Sequence, residues 1–267
     1  MAKNKTPKSL TVTDFVKMKS KGEKITMLTA YDFSIASMLD AAGVDMLLVG
    51  DSLAMVVQGH ENTIPVTLDE MIYHGEMVAR AAKRAFVVVD IPFPVNHHGV
   101  HEAVKAAGRI MKETGCQAVK LEGGADQADV IRAMVNAGIP VIAHVGLRPQ
   151  AVHAMGGYKV QRDKDEILAD ATAAQEAGAF CVLIECVPAD IAAELSSTLR
   201  VPTIGIGAGV GCDGQVLVIN DMLGMTSGYV PSFVKAYANV GEQISGAVGQ
   251  WCEDVKGSKF PDDDHSF

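Results

Sequence analysis

From residue 25 onward, short β-branched runs alternate with longer Ala-rich stretches that carry helical periodicity. That rhythm constrains the fold more than any motif in the chain. Candidate strands cover Ile25–Ala30, Asp45–Val49, Phe86–Asp90, Ala118–Glu122, Pro140–Val145, Phe180–Glu185 and Val201–Ile206, with a weaker eighth at Gln215–Ile219. Helical segments fall between them at Phe33–Ala42, Leu68–Lys83, His101–Thr114, Ala128–Ala137, Glu166–Ala177 and Ala189–Thr198. Gly43, Gly115, Gly138 and Gly178 each stand just before a strand, where a left-handed glycine stops a helix.

Strands separated by helices pair in parallel through right-handed crossovers, which leaves a closed barrel or an open doubly wound sheet. No GxGxxG follows the first strand, so the dinucleotide-binding open sheet loses its main signature. The expectation is a single (β/α)8 TIM barrel. Nothing in composition divides the 267 residues, 48% of them apolar, so one domain is expected. Its parts are an N-terminal arm and helix (1–24), the barrel (25–240) and a C-terminal helix and tail (241–267).

A net charge of −9 argues against a nucleic-acid or anionic-membrane surface, either of which needs a basic field. Lys3, Lys5, Lys8, Lys17, Lys19, Lys21 and Lys24 crowd the start, and they read as a solvated arm plus one short helix. No apolar segment follows them as in a secretory signal, and no apolar run reaches the roughly 18 residues of a membrane span. The five cysteines include no CxxC pair and read as reduced, structural residues of a cytoplasmic protein.

Barrel enzymes carry their chemistry at the C-terminal strand ends. Here the second strand runs into Asp51 and Ser52, the third ends at Asp90, and the fourth at Lys120 and Glu122. The fifth ends at His144 and the sixth at Glu185. Singly, Asp51 is as well explained as a helix cap, Asp90 as a turn former and His144 as a core histidine. Five consecutive strands delivering ionisable groups to one rim is a stronger pattern. Asp51, Asp90 and Glu122 form an oxygen-rich set that suits Mg²⁺ better than Zn²⁺. Such an ion stabilises an oxyanion, for example an enolate of a 2-oxo acid. Glu185 lies in an apolar run that should raise its pKa and suit it to general-base work. Lys120 shares the inward face with Glu122 and can meet a substrate carboxylate or enolate. Gly205-Ile206-Gly207-Ala208-Gly209, after the seventh strand, is a weak phosphate-loop signal and fits close packing better.

These residues also carry a family resemblance. Thr29-Ala30-Tyr31-Asp32, Val49-Gly50-Asp51-Ser52-Leu53, Gln58-Gly59-His60 and Ile64-Pro65-Val66-Thr67 resemble signatures of the ketopantoate hydroxymethyltransferases. So do Val119-Lys120-Leu121-Glu122-Gly123-Gly124, His144-Val145-Gly146-Leu147, Gly156-Gly157-Tyr158-Lys159-Val160-Gln161 and Glu185-Cys186-Val187-Pro188. The Gly205–Gly209 run and Asp213-Gly214-Gln215-Val216-Leu217 complete a match in the expected order along nearly the whole chain.

The resemblance implies transfer of a hydroxymethyl group from 5,10-methylenetetrahydrofolate, the co-substrate, to 3-methyl-2-oxobutanoate, giving 2-dehydropantoate for pantothenate and coenzyme A biosynthesis. In matching positions Asp51, Asp90 and Glu122 would hold Mg²⁺, which the oxo acid would chelate. Ser52 and Lys120 would grip the substrate, Glu185 would remove the C3 proton, and His144 would sit beside the new hydroxymethyl group. It further implies a cytoplasmic homodecamer of two pentameric rings. Ala54, Asn96 and Arg162 depart from the family pattern, which puts folate affinity or lid motion in question rather than the chemistry. Two other readings stand beside this one. A Mg-dependent lyase or mutase of the phosphoenolpyruvate/isocitrate lyase type would share the metal carboxylates, but no Lys-Cys-Gly motif is present. A non-catalytic binder of a 2-oxo acid or folate would tend to lose one of the rim carboxylates, and none is missing.

Overall fold

A computed structural model describes residues 8–267, so Lys3 and Lys5 of the basic stretch lie outside the described residues. The strands are β1 (Ile25–Thr29), β2 (Met46–Val49), β3 (Phe86–Asp90), β4 (Ala118–Glu122), β5 (Val141–Gly146), β6 (Cys181–Glu185), β7 (Thr203–Ile206) and β8 (Gly214–Leu217). They pair in chain order and close into a barrel, the expected (β/α)8 architecture. Closure is made by parallel pairing of β8 with β1, in the register Ile25 to Gly214 and Met27 to Val216.

Strand ends differ from the expected ones by no more than two residues. Pro140 and Pro202 explain two of the shifts, because neither has an N–H for the ladder. Their carbonyls still accept, from Val119 and Val182 at 3.0 Å each. The helices keep their expected places, with capping that the sequence encodes. Thr67 and Glu70 form a capping box at the start of Leu68–Ala81, and the Asp163 side chain caps Lys164–Glu176.

The chain forms two compact units, which divide after Val218. β8 completes the ladder by pairing with β1, and among the described residues no strand follows Leu217. The second unit, Ile219–Phe267, holds the helices Ile219–Met222 and Val240–Lys256. Ile244, Val248, Trp251 and Val255 form an exposed stripe at alternating spacings of four and three on the longer helix. Among the described residues no helix is long and apolar enough to cross a membrane.

Side chains of a strand alternate between two faces. Met46, Leu48, Phe86, Val88, Ala118, Ile142, Cys181, Leu183 and Ile204 share one buried apolar cluster with Ile25, Met27 and Val216. This cluster fills the barrel. The helix Val12–Lys21 closes its N-terminal mouth by inserting Phe15, which is fully buried and meets Phe86 edge-on at 5.3 Å between ring centroids. Phe86 in turn meets Phe180 at 5.7 Å.

The lysines of this N-terminal stretch are not all solvated, contrary to the expectation from sequence. Lys19 Nζ pairs with Asp213 at 2.6 Å and donates to the Ser196 carbonyl at 2.7 Å, while Lys24 donates to the Cys212 carbonyl at 2.5 Å. Asp213 also accepts from the backbone and hydroxyl of Thr203, at 2.8 and 3.0 Å. On the same mouth Arg84 pairs with Asp45 at 2.6 Å, and Asp45 takes the Thr26 hydroxyl at 2.8 Å.

Truncating Phe15 leaves a cavity among Phe86, Phe180 and the barrel floor. Phe15→Ala should lower the unfolding free energy by about 3–5 kcal/mol, read from urea denaturation with the slope unchanged. A loss below ~1 kcal/mol would show that the plug carries little of the barrel's stability.

Candidate active site

The alternation that puts Phe86 and Val88 inside the barrel also turns Asp90 inward, one layer higher. By the same parity Ala118 sets Lys120 and Glu122, Ile142 sets His144, and Cys181 and Leu183 set Glu185. Asp90, Lys120, Glu122 and His144 are all buried, and the Glu185 side chain is 16% exposed. Asp51 reaches the same layer from the turn after β2 and is buried as well. The structure thus brings Asp51, Asp90, Lys120, Glu122, His144 and Glu185 to one rim.

Four of these residues form a chain across it. Lys120 Nζ lies 3.1 Å from Asp90 Oδ1 and 3.3 Å from His144 Nδ1, and His144 Nε2 lies 3.2 Å from Glu185 Oε2. With the ammonium donating to Nδ1, the proton of the neutral imidazole belongs on Nε2, facing Glu185. Burial, followed by the Lys120 charge, holds His144 well below its usual range, so it is neutral at pH 7. Burial disfavours the charged form of Lys120 too, yet Asp90, Asp51 and Glu122 outweigh it and keep the ammonium charged.

Each of Asp51, Asp90 and Glu122 has one oxygen tied to a neutral N–H. Asp51 Oδ2 accepts from Gln150 Nε2 at 2.8 Å, and Asp90 Oδ2 from the Asp51 backbone at 2.9 Å. Glu122 Oε2 accepts from the Gln150 backbone at 2.9 Å. Ser52 does not cap the short helix Leu53–Val56 with its side chain; its Oγ lies 2.8 Å from the buried Tyr31 hydroxyl. Asp51 likewise spends its carboxylate on the rim rather than on a helix end.

Four carboxylates share this rim with one ammonium. Burial raises Asp90, Glu122 and Glu185, and the Asp51 charge raises Asp90 and Glu122 further. Glu185 is lifted to about 7, with Lys120 opposing the rise. Glu122 Oε1 is buried without a hydrogen-bond donor, and Asp90 Oδ1 has the Lys120 ammonium beside it at 3.1 Å. Among the described residues no three His, Cys, Asp or Glu side chains are placed to hold one metal ion together. A negative surplus of hard oxygens, with Glu122 Oε1 left without a donor, fits a cation that takes few protein ligands and completes its shell with water and substrate.

Local backbone geometry sets Glu185. Cys186 follows it in the left-handed region (φ 49°), and its N–H donates to the Ile206 carbonyl at 2.9 Å. Gly146 opposite has φ 86°, and a Cβ there would collide with the Glu185 carbonyl oxygen. The glycines after β7 serve packing, since a Cβ at Gly209 or Gly211 would strike Ala189 or Ala193 of the helix Ala189–Thr198. Gln150 and Tyr31 were given no role by the sequence reading. Gln150 sits on the turn Pro149–Ala151 after β5, where no strand period gives a side chain's direction. Of the three departures, Ala54 is buried and Arg162 exposed. Asn96 is buried and donates to the Glu122 carbonyl at 3.1 Å, so it braces the end of β4.

The family profile described as "Ketopantoate hydroxymethyltransferase" matches residues 9–263. The chain belongs to the ketopantoate hydroxymethyltransferase family. It is 57% identical over 258 residues to the 3-methyl-2-oxobutanoate hydroxymethyltransferase of Rhodopirellula baltica, covering 97% of this chain and 96% of that one. It is 56% identical over 254 residues to the enzyme of that name from Syntrophus aciditrophicus, covering 94% and 93%. Among solved structures it is similar to phosphonopyruvate hydrolase in complex with oxalate and Mg²⁺, with a TM-score of 0.62 at 14% identity over 96% of this chain and 93% of that one. It is also similar to 2,3-dimethylmalate lyase, a PEP mutase/isocitrate lyase superfamily member, with a TM-score of 0.60 at 18% identity over 94% and 89%. At those identities the likeness is one of fold, so the lyase reading gains a shared barrel and nothing more. The ketopantoate hydroxymethyltransferase family signatures, by contrast, include every ionisable group of the rim except Asp90.

Lys120 is what keeps the Glu185 carboxyl from rising further. Carboxyl-carbon NMR titration of the metal-free protein should place Glu185 near pH 7, raised to about 7 by burial, and Lys120→Met should move it upward. A downward shift in a folded variant would contradict this account of the rim.

Proposed function

We propose that this chain transfers a hydroxymethyl group from 5,10-methylenetetrahydrofolate to 3-methyl-2-oxobutanoate, giving 2-dehydropantoate for pantothenate synthesis. The observation that carries the reading is Glu185: a largely buried carboxyl raised to about 7, set on one rim with Lys120 and three further carboxylates. A base with a pKa near working pH is suited to taking a proton from carbon. Relatives sharing 57% and 56% of their residues with this chain bear the name of that reaction.

Asp51, Asp90 and Glu122 would hold Mg²⁺, which supplies Lewis-acid stabilisation of negative charge developing on the oxo acid. Lys120 provides a fixed positive charge for the substrate carboxylate or enolate. Ser52, oriented by Tyr31, donates to the same end of the substrate. Glu185 removes the C3 proton, and the resulting enolate carbon forms its new bond to the one-carbon unit of the folate. Water supplies the hydroxyl, and tetrahydrofolate leaves. His144, neutral with its Nε2–H toward Glu185, lies beside the new hydroxymethyl group and can hydrogen-bond to it.

The same reading places the protein in the cytoplasm, supported by five cysteines that are all free, four of them buried. It also makes the protein a homo-oligomer, a decamer by family resemblance. The exposed stripe of Ile244, Val248, Trp251 and Val255 supports assembly, because a surface of this kind is usually covered by a partner. A mass near ten chains in light scattering would agree, and a monomer at micromolar concentration would remove the assembly from the proposal.

Glu185→Gln should bind metal and oxo acid normally but slow C3–H exchange of 3-methyl-2-oxobutanoate in D₂O by about 10²–10⁴-fold, followed by proton NMR. Exchange at the wild-type rate would take Glu185 out of the mechanism. The wild-type protein should lose exchange when Mg²⁺ is chelated. With metal present, the acid limb of the exchange rate should fall at or below about pH 7, since a bound cation favours the ionised carboxyl.

A further inference from the structure

Gln150 makes three hydrogen bonds at the top of the barrel, two of them to carboxylates of the rim. Its side-chain nitrogen spends both protons inside the protein, on Asp51 Oδ2 at 2.8 Å and on the Ile91 carbonyl at 3.0 Å. Its backbone N–H donates to Glu122 Oε2 at 2.9 Å. One buried residue, on the turn after β5, thereby ties the ends of β2, β3 and β4 together.

The chemistry of this donor is as informative as its position. Lysine in that place would also order the oxygens, but it would cancel a charge that the rim needs for a cation. A carboxamide fixes them and leaves the charge intact. Orientation matters because Mg²⁺ and Ca²⁺ ask different things of a carboxylate. Mg²⁺ demands compact octahedral geometry and takes single carboxylate oxygens, while Ca²⁺ accepts six to eight oxygens and often takes a carboxylate through both. A carboxylate with one oxygen held by an N–H is poorly placed to offer both.

We propose that Gln150 is a positioning residue for the metal centre: by fixing one oxygen of Asp51 and one of Glu122, it presents single oxygens and so favours Mg²⁺ over Ca²⁺. This rests on the assignment of Asp51 and Glu122 as metal ligands made above. Partners of ligands that hydrogen-bond outside the coordination shell commonly contribute about 10–100-fold to metal affinity. Gln150 serves two ligands at once and belongs to that class.

The test uses the full chain, stripped of metal, in calorimetric titrations with Mg²⁺ and separately with Ca²⁺. Gln150→Met keeps the length and bulk of the side chain, removes both side-chain donors, and leaves the backbone bond to Glu122 in place. It should raise the Kd for Mg²⁺ by about 10–100-fold and that for Ca²⁺ by distinctly less, so the ratio between the ions shrinks. Gln150→Asn, an amide one methylene too short to reach both acceptors, provides the same measurement if the methionine variant does not fold. An unchanged Mg²⁺ affinity in a folded variant overturns the proposal. So does an equal loss for both ions, which would mean that Gln150 merely keeps the rim folded. If the wild-type chain itself binds no Mg²⁺, the metal reading falls and this inference falls with it. Binding by the wild type with no change in the variant refutes the role of Gln150 alone.

Discussion

In a strand every second side chain faces the same way, and in a closed barrel the inward set has nowhere else to go. Phe86 and Val88 sit in the apolar cluster within the ring, so Asp90 must enter it too. The same holds for Lys120 and Glu122 above Ala118, and for Glu185 above Leu183. Each buried ion carries a desolvation cost of several kcal/mol. The apolar layers beneath must offset that cost, and Phe15 completes them from below. The polar rim is therefore possible because the rest of the ring is so thoroughly apolar.

The two mouths of the barrel use similar side chains to opposite ends. At the N-terminal mouth charge is balanced and bonds are satisfied: Lys19 meets Asp213, and Arg84 meets Asp45. At the C-terminal mouth four carboxylates face one ammonium, and a buried oxygen of Glu122 stands without a donor. Balanced polar groups hold a fold together, whereas unbalanced ones have free energy to give to a ligand. The usual division of labour in such barrels, stability below and chemistry above, thus appears here as a difference in charge balance.

Much of this was legible in the sequence, and the reason lies in periodicity. Strand register and inward parity follow from the position of apolar residues, so the sequence identified Asp90, Lys120, Glu122, His144 and Glu185 as rim groups by counting along the strands. Gln150 escaped because it lies on a turn, where no period links sequence position to direction. Tyr31 escaped for a similar reason: its hydroxyl works through Ser52, a contact between strand ends that no local pattern encodes. The solvated reading of Lys19 failed because its partner, Asp213, is 194 residues away.

The clasp between Lys19 and Asp213 also has a consequence in time. The floor of the barrel is assembled from the first helix and the turn before the last strand, segments that leave the ribosome far apart in order of synthesis. Until the second of them emerges, Phe15 and Lys19 have lost their cover on one side and the ring has a gap between β1 and β7. Closing such distant contacts is entropically demanding and slow. A nascent chain of this protein carries two open sheet edges through most of its translation, and it becomes a sealed object only near the end.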